Sequence, residues 1–153
     1  MTMSNPTRGA LAGFVASLVL AGIFLLNSSF DVMPESDIIR LVMNLGGGNL
    51  SLASAWADHF IVGTLIWGLG FGASDSFGSR PAPWLKGIIF GVLAWLLMMV
   101  AFMPLAGSGF FGAKIGPSVP AGMLVLHLVF GTVLGATYGL LTACFPEKPA
   151  QAD

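Results

Sequence analysis

Charge is scarce in this chain. Only 8% of its 153 residues are charged while 56% are hydrophobic, and the mean hydropathy is +0.88. A soluble domain carries roughly 25% charged residues, because water must cover its surface. Too few are present here to solvate a globule, so a compact soluble core is excluded and the expected solvent is the lipid bilayer. The six basic residues are scattered and the net charge is −1. No basic patch can neutralise phosphates, which excludes nucleic acid as a partner. One cysteine, Cys144, excludes an internal disulfide and any cysteine-based metal knuckle. Histidine is equally rare, with His59 and His127 alone.

What the chain does have is long apolar runs. No charge interrupts residues 9–30, and Gly9 to Leu26 is almost wholly apolar, enough for a helix to cross the hydrocarbon. Further spans are expected from Leu52 to Phe71, from Leu85 to Phe102 where Pro104 stops the helix, and from Val119 to Phe145. Backbone groups in lipid must be satisfied within their own segment, so these runs read as helices. A secretory signal peptide is the rival for the first span, but its apolar region would be only about 7–15 residues long. The run Leu26 to Phe30 is also a poor cleavage match, and a retained helix is expected.

Four spans put both termini on one side. Arg8, Arg80, Lys86 and Lys148 fall on that side, against Arg40 and Lys114 opposite. Excess Lys and Arg marks the cytoplasmic face, so both ends are expected there. Trp56 and Trp84 fall near helix ends, where indoles favour the headgroups. In the longer outer loop, Asp37 to Met43 reads as a short amphipathic turn on the membrane surface, and Gly46 to Gly48 breaks any helix.

The chain also repeats itself. Arg8 precedes Gly9-x-x-x-Gly13, and Lys86 precedes Gly87-x-x-x-Gly91; Met33-Pro34 and Met103-Pro104 follow; then come His59-x-x-x-Gly63-Thr64 and His127-x-x-x-Gly131-Thr132. The order of the four features is the same in both halves, which makes chance a poor explanation. The expected fold is an all-α membrane protein of four transmembrane helices, built as two tandem parallel-repeat hairpins, N-in and C-in. Its divisions are a tail over residues 1–8, one membrane domain over 9–145 (repeats at about 9–75 and 84–145) and a tail over 146–153. Repeats with an even number of spans share one orientation, which would bring both histidines to similar depth.

Small residues supply the packing, since lipid provides no hydrophobic drive between helices. The expected packing positions are Gly9 and Gly13, with Ser17 and Ala21, on the first helix, and Gly63, Thr64, Gly68 and Gly72 on the second. Gly87 and Gly91 serve on the third, and Gly131, Thr132, Gly135 and Gly139 on the fourth. His59 and Gly63 fall in one line, with Thr64, Gly68 and Gly72 in another beside it.

The phrases Gly91-Val92-Leu93-Ala94-Trp95, Met103-Pro104-Leu105-Ala106-Gly107 and Phe110-Phe111-Gly112, with the two His-x-x-x-Gly-Thr segments, carry a resemblance. The chain resembles, over nearly its whole length, a bacterial family of small multi-pass membrane proteins known only as a domain of unknown function. That resemblance implies a four-helix inner-membrane protein and supplies no activity, ligand or catalytic residue.

Two readings of His59 and His127 compete. Paired imidazoles on related helices could hold a haem iron, with Gly63 and Gly131 leaving room for the porphyrin. The favoured reading is that each imidazole bonds the backbone of a neighbouring helix or a threonine, Thr64 or Thr132, worth about 0.6–2 kcal/mol. Asp58 has no counterpart in the second half and points about 100° from His59 on an ideal helix; it is expected at the interface near the helix's positive end. Asp31, Glu35 and Asp37 could collect a hard cation, but without a calcium-loop pattern they read as a solvated loop. Gly107 to Gly112 lacks the context of a nucleotide-binding loop. Cys144 could be acylated, yet a buried apolar thiol is expected.

No catalytic constellation or metal-ligand cluster falls within a span, so neither enzyme activity nor a cofactor is expected. The leading expectation is a structural, accessory or interaction role in the membrane, as a homo-oligomer or within a complex. Bis-histidine haem electron transfer is the alternative, and oligomeric transport of a small solute or proton the third.

Overall fold

The computed structural model describes residues 2–30, 43, 51–74 and 82–146. The acidic cluster of Asp31, Glu35 and Asp37, the Met33-Pro34 pair, Arg40, all but Met43 of the amphipathic turn, the Gly46–Gly48 run, Arg80 and the C-terminal tail beyond Pro146 lie outside the described residues.

Four helices carry the fold: α1 (Asn5–Phe30), α2 (Leu52–Ser74), α3 (Pro83–Leu105) and α4 (Val119–Cys144). All four are long and apolar enough to cross a membrane. No strand occurs among the described residues. The helix starts follow local chemistry. The Ser51 hydroxyl accepts the Ser54 N–H at 3.1 Å and caps α2. Pro83 and Pro120 stand in the first turns of α3 and α4, where a missing N–H costs nothing. At α1 the helix begins at Asn5 rather than Gly9, so part of the expected N-terminal tail is helical. The Ser4 hydroxyl takes the Thr7 N–H at 3.4 Å there, and Arg8 is buried.

Two helices contain a widened, π-type turn, over Val62–Gly68 in α2 and Met98–Phe102 in α3. The second has an evident cause. Pro104 has no N–H to offer, and its ring crowds the carbonyl four residues back. The helix relaxes until Met103 N–H reaches the Met98 carbonyl five back, and it continues to Leu105. Pro104 therefore widens α3 instead of stopping it at Phe102. The widened turn in α2 contains no proline but changes which residues share a face. Gly63 and Gly68, five apart, both meet α1.

Backbone contact at glycine joins α1 to α2 and α3 to α4. A Cβ placed on Gly9 would fall on the Gly68 carbonyl and 2.9 Å from Gly72 Cα. On Gly13 it would fall on the Gly63 carbonyl and 2.8 Å from Gly68 Cα. In the other pair, Gly87 meets the Gly131 carbonyl and Gly135, and Gly91 meets the His127 carbonyl and Gly131. Gly139 lies against the Pro83 ring. Thr132 is exposed, its hydroxyl returned to the Leu128 carbonyl of its own helix at 2.7 Å. The Thr64 hydroxyl is buried without a partner. Neither threonine takes part in these glycine contacts.

The helices are ordered around the bundle as α2, α1, α4, α3, with α1 also packed along α4. Ala12, Ala16, Leu126, Phe130 and Leu134 belong to the core they share. Helices α2 and α3 meet through large rings: Phe90 stands edge-on to Trp67 at 5.6 Å and to Phe71 at 5.3 Å. At the end where α1 begins and α4 finishes, two cations close helix termini. The Arg8 guanidinium donates to the Phe145 carbonyl, at 3.1 Å from Nε and 2.7 Å from Nη2, and to Asn5 Oδ1 at 2.6 Å. Lys86 Nζ reaches the Phe71 carbonyl at 3.4 Å and lies over the Phe71 ring. Carbonyls in the last turn of a helix lack intrahelical donors and attract cations.

Candidate functional site

Toward the end of the bundle away from the chain termini lies a cavity of about 480 Å³, walled by all four helices. Ser17, Leu20 and Phe24 come from α1, and Leu126, His127 and Phe130 from α4. Asp58, His59, Val62, Ile66 and Trp67 line it from α2; Ala94, Leu97, Met98 and Phe102 line it from α3. Of these, Val62, Ile66, Leu97 and Phe102 are also exposed, whereas Ser17, Leu20, Ala94, Leu126 and Phe130 are buried. The open side of the cavity is therefore the gap between α2 and α3, and its back wall is formed by α1, α4 and Ala94. Toward the chain termini the gap is filled by the ring cluster of Phe71, Phe90 and Tyr138.

Both histidines reach this cavity, and they are held differently. His59 Nε2 donates to the Ser17 carbonyl on α1 at 3.0 Å, an interhelical bond. Phe24, Trp56 and Phe60 stand edge-on or tilted around its ring at 5.2–5.9 Å. His127 Nδ1 donates to the Met123 carbonyl at 2.8 Å, four residues back on its own helix. The expected interhelical bond is thus made by His59 and not by His127. A carbonyl can only accept, so each contact fixes one ring N–H. In the neutral imidazole the other nitrogen, Nδ1 of His59 and Nε2 of His127, then carries a lone pair. Neither has a partner among the described residues.

The two histidines are also out of register with respect to their seams. Opposite Gly13 stands the carbonyl of Gly63, one turn after His59; opposite Gly91 stands the carbonyl of His127 itself. The glycine seam of the second hairpin is thus shifted by one turn relative to that of the first. Asp58 falls within the first two turns of α2, near the helix start as expected, and lines the cavity beside His59. Cys144 corrects another expectation, being exposed rather than buried.

One polar group here was not foreseen as a site residue. The Ser17 side chain is fully buried on the cavity wall, packed against Gly63, and its hydroxyl has no hydrogen-bond partner. A helical serine ordinarily returns its hydroxyl to the carbonyl four back. In the sequence Ser17 counted only as a small residue, and nothing marked its hydroxyl as unsatisfied. Among the described residues no three His, Cys, Asp or Glu side chains are grouped to hold a metal ion.

Fold and site together define a protein that is all-helical over its described residues, whose four apolar helices enclose a chamber open between α2 and α3. Over residues 3–146 the chain matches a family of unknown function, DUF6789, and it belongs to that family. Neither a curated protein nor a solved structure matches it.

Proposed function

We propose that the chain is an integral protein of the bacterial inner membrane, with both termini in the cytoplasm, acting by association as a structural or accessory subunit. The observation that carries this reading is the pair of glycine seams. Helices packed backbone to backbone through small residues are what lipid requires, since it offers no hydrophobic drive to bring them together. Apolar side chains such as Phe14, Leu18, Ile61, Leu93 and Val125 cover the outer faces, as a bilayer-facing surface demands. Arg8 and Lys86 stand at the end shared by the termini, in keeping with a cytoplasmic assignment.

The two hairpins are read as a duplicated unit. Support comes from the crossed closure: the cation ahead of the first glycine pair reaches α4, and the one ahead of the second reaches α2. An axis along the membrane normal relates such an exchange.

Haem chemistry finds less support. The glycines it needs for the porphyrin face are taken up by helix contacts, Gly63 by Ser17 and Gly131 by Gly87. Among the described residues no Arg or Lys lines the cavity to meet propionates. Transport finds less still, because rings fill the space between the helices toward the termini.

The test is fractionation and native electrophoresis of a C-terminally fluorescent fusion. The protein should stay in carbonate-washed membranes, fluoresce as a cytoplasmic terminus does, and migrate as an assembly larger than the monomer. Release by carbonate defeats the membrane reading, and a monomer without partners defeats the association reading.

A further inference from the structure

The chamber between α2 and α3 has the properties of a binding site, and its chemistry restricts the ligand. We infer that it binds a lipophilic molecule whose flat ring carries hydroxyl donors, the chemistry of a membrane quinol. The inference rests on the bilayer placement proposed above, because the open side then faces the acyl chains and not water.

Three observations select this class. The first is access. The exposed lining residues Val62, Ile66, Leu97 and Phe102 all belong to α2 and α3, so a ligand arrives sideways, already dissolved in lipid. A ligand of that kind must itself be apolar over most of its surface. The second is size. About 480 Å³ lies in the range of small-molecule pockets and suits a substituted ring with the start of its tail. Trp67, Phe24 and Phe130 line it and offer aromatic faces and edges to such a ring.

The third is polarity. The bonds to the Ser17 and Met123 carbonyls consume one N–H on each imidazole, leaving His59 Nδ1 and His127 Nε2 as acceptors. Asp58 also lines the chamber, from α2. A purely apolar lipid tail would leave all of these unanswered, at a cost in every bound complex. A ring with hydroxyls answers them. The fixed tautomers therefore favour the reduced, hydroxyl-bearing form over the oxidised quinone, which can only accept. This is a statement about binding and includes no electron transfer.

The experiment uses the full-length protein in nanodiscs of phosphatidylethanolamine and phosphatidylglycerol, titrated under argon with decylubiquinol. Retained ligand is quantified by chromatography against empty discs, with quenching of tryptophan fluorescence as a second readout. One saturable site is expected. Decylubiquinone and decylbenzene should each bind about five- to tenfold more weakly, as the loss of one or two hydrogen bonds implies. His59→Phe with His127→Phe should reduce the preference for the quinol, and Ile66→Trp, at the exposed rim, should block binding without touching the core. Equal binding of all three ligands shows a lipid groove and overturns the inference, as does a quinol preference that survives both histidine substitutions. Failure to enter nanodiscs counts against the membrane reading, whereas entry without saturable binding counts against the site alone.

Discussion

Arg8 and Phe145 stand 137 positions apart in the chain and share two hydrogen bonds, with guanidinium Nε and Nη2 both donating to one carbonyl. Arg8 is 2% exposed, the bonds to Phe145 are part-buried, and the cation sits where the last carbonyls of α4 leave negative potential. Arg8 thereby ties the first helix to the last.

Arg8→Leu should destabilise the bundle by about 2 kcal/mol, the loss of a charged donor from a part-buried acceptor. Arg8→Lys should recover part of that, since an ammonium keeps the charge but not the planar fork. Unfolding by sodium dodecyl sulfate titration from mild detergent measures both. Equal stability of all three proteins would leave the clasp without energetic weight.

The seam glycines make a sharper contrast. Gly13→Leu forces a side chain onto the backbone of Gly63 and Gly68 and should cost about 3 kcal/mol or prevent folding. Gly22 belongs to the same helix, yet nothing lies within 4 Å of the place its Cβ would occupy. Gly22→Ala should therefore be neutral or gain about 0.5–1 kcal/mol through reduced chain entropy. The same titration decides it, and a Gly22→Ala as harmful as Gly13→Leu would show that glycine matters here for backbone freedom and not for contact.

Histidine substitutions should be unequal despite the shared sequence phrase. His59→Leu removes a bond between helices and should cost about 0.6–2 kcal/mol. His127→Leu removes a bond to a carbonyl of the same helix and should cost less than His59→Leu, about 0.5 kcal/mol. Equal losses would contradict the different partners of the two rings.

Much of this molecule was legible in its residues, because the burial rule for backbone groups in an apolar solvent leaves helices as the outcome for long uncharged runs. The four helices fall where hydropathy put them. The glycines of the Gly9 and Gly87 phrases meet the glycines of the following helix. What could not be read depends on departures from the ideal helix. With 3.6 residues per turn, Gly63 belongs to one line and Thr64, Gly68 and Gly72 to another. The widened turn brings Gly63, Gly68 and Gly72 together against α1 and leaves Thr64 with an unsatisfied hydroxyl. Arg8 reads as a solvated flank until its partner appears from the far end of the chain. Asp58 and His59 share a wall although neighbours on a helix diverge, because a concave chamber can be lined from more than one direction. The chamber itself arises from the gap between α2 and α3, which no spacing in either segment announces.

The crossed cations have one more result. Each hairpin carries the charge that finishes a helix in the other, so neither is self-sufficient. Severed between α2 and α3 and expressed apart, the second fragment would leave the Phe145 carbonyl without its guanidinium, and the first would keep only the Ser74 hydroxyl on the Phe71 carbonyl. Produced together, the fragments still hold complementary halves of both fastenings, and a split version of this protein should reassemble without the peptide link.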